Sequence, residues 1–83
     1  MARSEANIRI RCGVRIFLEC NKGKYYTGKQ LAQFLQDKLG MNGAAVDAGQ
    51  IARLVTIDKS NMNGVLNPVD VQMENNRKKY AIL

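Results

Sequence analysis

Histidine is absent from this sequence, cysteine occurs twice and proline once, and no apolar run is long. Without histidine the commonest general base, metal ligand and partner of a catalytic nucleophile is missing. Cys12 and Cys20 cannot by themselves complete a four-ligand zinc site, and no metal or other cofactor is expected. Nor can they pair with each other: they would stand about 12 Å apart along a helix or about 26 Å along a strand, beyond the roughly 7 Å Cα limit of a disulfide. Both are expected as small core-filling thiols in a reducing compartment. No set of acid, base and nucleophile can be assembled, which argues against an enzyme. After Met1-Ala2-Arg3-Ser4-Glu5, residues Arg9, Arg11 and Arg15 break every apolar window. A cytoplasmic protein without signal peptide or membrane span is therefore expected.

Acidic residues are scarce as well. Against 13 Lys and Arg stand 7 Asp and Glu, a net charge of +6 in 83 residues and a pI near 9.7. That length holds one domain, 1–83, with a small core. Residues 1–30 carry seven basic and two acidic side chains, 31–60 three of each, and 61–83 three and two. Such an excess points to an anionic partner, although solubility alone is served by the same charge.

Ile8, Ile10, Cys12, Val14, Ile16, Leu18 and Cys20 alternate with Arg9, Arg11, Arg15 and Glu19 in a period of two, a strand pattern. A helical projection fits too. It gathers Ala6, Ile10, Val14, Phe17, Leu18 and Cys20 on one side and sets Arg11, Arg15 and Glu19 opposite. Length favours the helix, because the rest of the chain offers only strands of about five residues as partners. Gly23 suits the left-handed position after its last turn. Thr27-Gly28-Lys29-Gln30 then fits a capping box, with Tyr26 and Leu31 spaced as a hydrophobic staple. Leu31, Phe34, Leu35 and Leu39 form the apolar stripe of this second helix, which Gly40 ends. A parallel signature at Asp47-Ala48-Gly49-Gln50, with Val46 and Ile51 as staple, opens a third helix to about Ile57. Ile51, Leu54 and Val55 face inward there, while Gly49, Arg53, Thr56 and Ser60 point outward.

Residues 58–68 are rich in turn formers and read as a loop. A hairpin follows, with Asn75-Asn76 as a two-residue turn. That turn sets Glu74 opposite Arg77, Gln72 opposite Lys79, Val71 opposite Tyr80 and Val69 opposite Ile82, so that apolar meets apolar and opposite charges pair.

Three helices and a hairpin with a basic tip resemble the layout of a winged helix-turn-helix domain, an α+β fold with a C-terminal β-hairpin wing. The stretch from Val14 to Leu35 is similar to that superfamily's passage from first to second helix, with Leu31-Ala32-Gln33-Phe34-Leu35 as the core motif. The resemblance implies binding of double-stranded DNA by a transcriptional regulator, with the third helix in the major groove. It implies that Gln50 and Arg53 lie nearest the bases, since Gln can bond adenine and Arg guanine through paired hydrogen bonds. Thr27, Lys29, Thr56, Lys59, Arg77 and Lys78 would hold phosphate. The connection from Gly40 to Val46 is longer than the usual turn between such helices.

Two other patterns compete. Gly23-Lys24-Tyr25-Tyr26-Thr27-Gly28-Lys29-Gln30 matches a phosphate loop until Gln30 replaces its hydroxyl residue, and a capped helix explains the same letters. The row Arg9, Arg11 and Arg15 offers an anion-seeking surface away from the third helix. It favours a rival role as a small inhibitor or adaptor gripping an acidic protein. Tyr25, Tyr26 and Tyr80 could stack on bases, but the hairpin register directs Tyr80 to the core.

Overall fold

The computed structural model describes residues 5–41 and 46–83. Residues 1–4 and most of the connection from Gly40 to Val46 lie outside them. Helix prevails over strand at the N-terminus, where α1 runs Glu5–Cys20. Its buried residues, Ile10, Gly13, Val14 and Leu18, recur at the three- and four-residue steps of one helical face. An extended alternative would find no partner of its length, since no strand among the described residues exceeds five. Gly13 marks the crossing with the second helix: a methyl group there would lie 2.4 Å from Leu35 Cδ2 and 2.8 Å from Leu39 Cδ1. Gly23, at φ 86°, turns the chain and donates its N–H to the Ile82 carbonyl at 2.9 Å.

The chain continues through β1 (Tyr26–Thr27), α2 (Gly28–Lys38), α3 (Ala48–Lys59), β2 (Asp70–Glu74) and β3 (Arg77–Ala81). Three helices and an antiparallel sheet of order β1-β3-β2 give the expected α+β class, an arrangement compatible with a winged helix. No helix among the described residues is long and apolar enough to cross a membrane. Strand β1 is an addition to the expected layout. Two residues carry no periodicity, and only pairing with β3 defines them, Tyr26 opposite Tyr80 and Thr27 opposite Lys79.

The hairpin register is as read from the sequence, from Glu74 opposite Arg77 to Asp70 opposite Ala81. Asn75 and Asn76 take φ 52° and 62°, the left-handed pair that a two-residue turn requires and that asparagine tolerates. Val69 and Ile82 are buried beyond the end of this ladder. The charge pairing differs: Glu74 accepts from Lys79 rather than from Arg77. Glu74, Arg77 and Lys79 share one face of the hairpin, and the lysine reaches the carboxylate diagonally.

The α2 capping box is present, with Gln30 N–H donating to Thr27 Oγ1 at 3.1 Å and Thr27 N–H to Gln30 Oε1 at 2.9 Å. At α3 only half of the expected box forms. Asp47 accepts from Gln50 N–H at 2.8 Å, but the Gln50 amide donates to Asn7 Oδ1 at 2.7 Å, because α1 passes within reach. The thiols also depart from expectation, since Cys12 and Cys20 are both exposed. They fall off the face that buries Val14 and Leu18, and Ile16 on the same outer side is 61% exposed.

Arg11 and Arg15 do not stand on a free face. The last turn of α3 extends past Ile57 to Lys59 and carries Asp58 against α1. Arg11 Nε donates to both Asp58 carboxylate oxygens, at 3.1 and 3.0 Å, and the two side chains are 12% and 5% exposed. Asp58 Oδ2 also accepts the Leu66 N–H at 3.1 Å. Arg15 Nη1 donates to the Val65 carbonyl at 2.8 Å, and Arg15 pairs with Glu19. Asn67 Nδ2 ties the same loop to the carbonyls of Asp58, Lys59 and Asn61. Gly64 closes it, where a Cβ would lie 2.7 Å from the Asp58 carbonyl oxygen.

Asp58→Ala is expected to cost about 3–5 kcal/mol by stranding a largely buried guanidinium, against a much smaller loss for Glu19→Ala at a solvent-screened surface pair. Urea denaturation separates the two, and equal losses would contradict the clamp. Burial also pushes the Tyr80 phenol above its ordinary value of 10.0. The stability it contributes is complete below that value and is lost as pH rises through the raised one. The fall in urea midpoint between neutral and strongly alkaline solution should therefore shrink in Tyr80→Phe.

Candidate nucleic-acid interface

The outward side of α3 follows from its inward one. Burying Ile51, Leu54 and Val55 leaves Gly49, Arg53, Thr56 and Ser60 exposed. Arg53 is the only cation on that side before the last turn. Thr56 Oγ1 donates to the Ala52 carbonyl at 2.9 Å, which leaves its oxygen to accept. Gln50, expected nearest the bases, is half-buried and turned toward α1 by its bond to Asn7. Its amide is thus already engaged inside the molecule.

β3 stands beside α3, and a groove separates them. Its upper part, a cleft of about 410 Å³, is lined by Thr27, Gly28, Lys29, Ala48, Gly49, Ala52, Arg77, Lys78 and Tyr80. A second hollow of about 230 Å³ shares Ala52, Lys78 and Tyr80 and adds Val55, Thr56, Lys59 and Val71. Six expected phosphate holders, Thr27, Lys29, Thr56, Lys59, Arg77 and Lys78, therefore line one continuous groove, although they come from four elements. Arg53 is exposed outside its lining. Lys59 is partly committed, because its ammonium donates to the Val69 carbonyl at 2.5 Å.

The electrostatics of this face come from where the acids are not. Among the described residues the ion pairs are Arg11–Asp58, Arg15–Glu19, Lys22–Glu19 and Lys79–Glu74. Lys29, Arg53, Arg77 and Lys78 form none. The hydrogen bond from Arg15 holds the Glu19 carboxyl below the usual range, and that from Lys79 does the same for Glu74. Both carboxylates are taken up by cations outside the groove lining, Glu19 by Arg15 and Lys22 and Glu74 by Lys79, although Glu74 stands directly opposite Arg77. Of the row Arg9, Arg11 and Arg15, only Arg9 is exposed.

Tyr80 is the lining residue that its sequence position does not reveal as such. It is 1% exposed and belongs to the core, yet it also forms the groove floor. Its place depends on the β1–β3 pairing, which joins segments more than fifty residues apart. No three side chains among His, Cys, Asp and Glu come together as a metal site would need, among the described residues. No protein-family model matches this chain, and no curated protein or solved structure does either, so the chemistry of this face rests on its own residues.

Proposed function

We propose that the protein is a small winged helix-turn-helix regulator, cytoplasmic, that binds double-stranded DNA with α3 in the major groove and the β2–β3 hairpin beside it. The observation that carries this reading is the sorting of charge. Among the described residues Lys29, Arg77 and Lys78, which border the α3–hairpin groove, enter no ion pair, while Arg11, Arg15, Lys22 and Lys79 are each paired with an acid. A phosphate backbone rewards that distribution, because each contact releases condensed counterions. Gly49 and Thr56 keep the outward side of α3 low, which lets its axis approach base edges. Arg53 is the residue placed to read them, through paired hydrogen bonds to guanine. Lys29, Arg77 and Lys78 position the duplex without reading sequence.

The rival reading, an acidic protein held by the arginine row, has less support, since of that row only Arg9 is exposed. Arg11 is nearly buried on Asp58 and Arg15 is shared between Glu19 and Val65.

Duplex affinity is expected to fall with salt at a log–log slope of about −3 to −4, for three or four phosphate contacts. Lys78→Ala should reduce that slope by about one, whereas Lys22→Ala, which removes a cation already paired with Glu19, should leave it unchanged. A slope near zero, or equal effects of both variants, would overturn the docking. Arg53→Ala is expected to relax preference at one base pair by about 1–3 kcal/mol, measured by competition among duplexes that differ at single positions.

A further inference from the structure

We infer that the upper cleft is a seat for a terminal phosphate group, the dianionic monoester that a nucleotide or the 5′ end of a nucleic acid carries. This goes beyond the duplex reading and does not require α3 to enter a groove. Two helices begin at the cleft. A Cβ placed on Gly28 would lie 3.0 Å from Ala48 Cβ and 3.2 Å from Ala48 Cα, so the first turns of α2 and α3 abut. The α2 capping box answers the N–H groups of Thr27 and Gln30. Those of Gly28 and Lys29, at the first two helical positions, belong to residues that line the cleft. Each helix start carries about half a positive charge, which favours an anion there.

A second observation is independent of the helix ends. Every fully buried side-chain nitrogen or oxygen among the described residues has a hydrogen-bond partner. Tyr80, 1% exposed, has no partner for its hydroxyl among them. The hydroxyl is therefore the part of the residue open to the groove, where Tyr80 lines both the upper cleft and the second hollow, and it offers a donor from the floor they share. Lys29, Arg77 and Lys78 stand at the rim without acidic partners among the described residues. Asp47, which caps α3, does not line the cleft, but its Oδ1 lies 3.4 Å from where a Cβ on Gly49 would be and offsets the charge of the α3 start. The free helix end is therefore that of α2.

Charge and shape together select the ligand. A diester in a continuous backbone brings one negative charge, whereas a phosphate monoester brings nearly two. The monoester also protrudes, so it can descend to a floor that a passing backbone spans. The volume of about 410 Å³ falls within the range of small-ligand sites. Ala48, Ala52 and the edge of Tyr80 leave an apolar wall for an attached nucleoside.

The test is an amide-resolved NMR titration of the full chain with inorganic phosphate, a nucleoside monophosphate and the corresponding nucleoside. Saturable shifts confined to Gly28, Lys29, Ala48, Gly49, Arg77 and Lys78 are expected with the first two and not with the third. Tyr80→Phe, which keeps the buried ring, should weaken phosphate binding several-fold, and Lys29→Ala should do so more strongly. Absent shifts, or shifts spread equally over Lys22, Lys24 and Lys38, would overturn the seat, as would an unchanged affinity in Tyr80→Phe. Oligonucleotides with and without a 5′ phosphate distinguish the sources: tighter binding of the phosphorylated strand assigns the seat to nucleic-acid ends, and equal binding assigns it to the free nucleotide. Duplex binding without amide shifts from phosphate would sink the seat and leave the DNA reading standing. The converse would sink the DNA reading alone.

Discussion

The clamp between Arg11 and Asp58 is the interaction on which the placement of the other parts depends. Asp58 is the buried charged residue of the described core, and its carboxylate serves α1 through Arg11 and the following loop through the Leu66 N–H. That loop leads into β2, so its anchoring decides where the hairpin leaves the body of the protein. The hairpin in turn sets the width of the groove beside α3. A buried ion pair is a weak source of net stability, since desolvation offsets most of its attraction. What it contributes is geometry: other pairings of this acid would leave an unsatisfied charge in the core.

Charge is distributed by the same logic over the rest of the molecule. Seven acidic residues cannot neutralise thirteen basic ones, and the fold spends its ion-paired carboxylates on α1 and on the outer face of the hairpin. Among the described residues Lys29, Arg77 and Lys78 are left without acids along the groove, and Arg9, Lys24 and Lys38 elsewhere. Low walls of glycine, alanine and threonine accompany the groove, so the same surface is both positively charged and open to close approach.

The features legible in the sequence were those made by neighbours in the chain. The Thr27–Gln30 box, the Asp47 cap, the Asn75–Asn76 turn and the hairpin register involve partners a few residues apart, where spacing alone dictates who can meet. The helical reading of α1 needed one further argument, the lack of a long partner strand. What stayed illegible is long-range. Arg11 and Asp58 are forty-seven positions apart and Gln50 and Asn7 forty-three. No local pattern says that an apparently solvated arginine is buried or that an apparent reader is already engaged. The exposed thiols illustrate the same limit, because alternation made Cys12 resemble a core residue and the helical projection itself gathered Cys20 with the apolar side, yet both are exposed. Of the candidate site, the basic residues were identifiable by type, but their convergence required the β1–β3 pairing that two residues of strand do not announce.

Thr27 is at once the last residue of β1 and the cap of α2. No linker intervenes between sheet and helix at that point, and Thr27 lies opposite Lys79 of the central strand. A displacement of the hairpin therefore has no slack in which to dissipate. It is delivered to the first turn of α2 as a rigid lever would deliver it, so the hairpin side and the α2 side of the upper cleft keep their spacing.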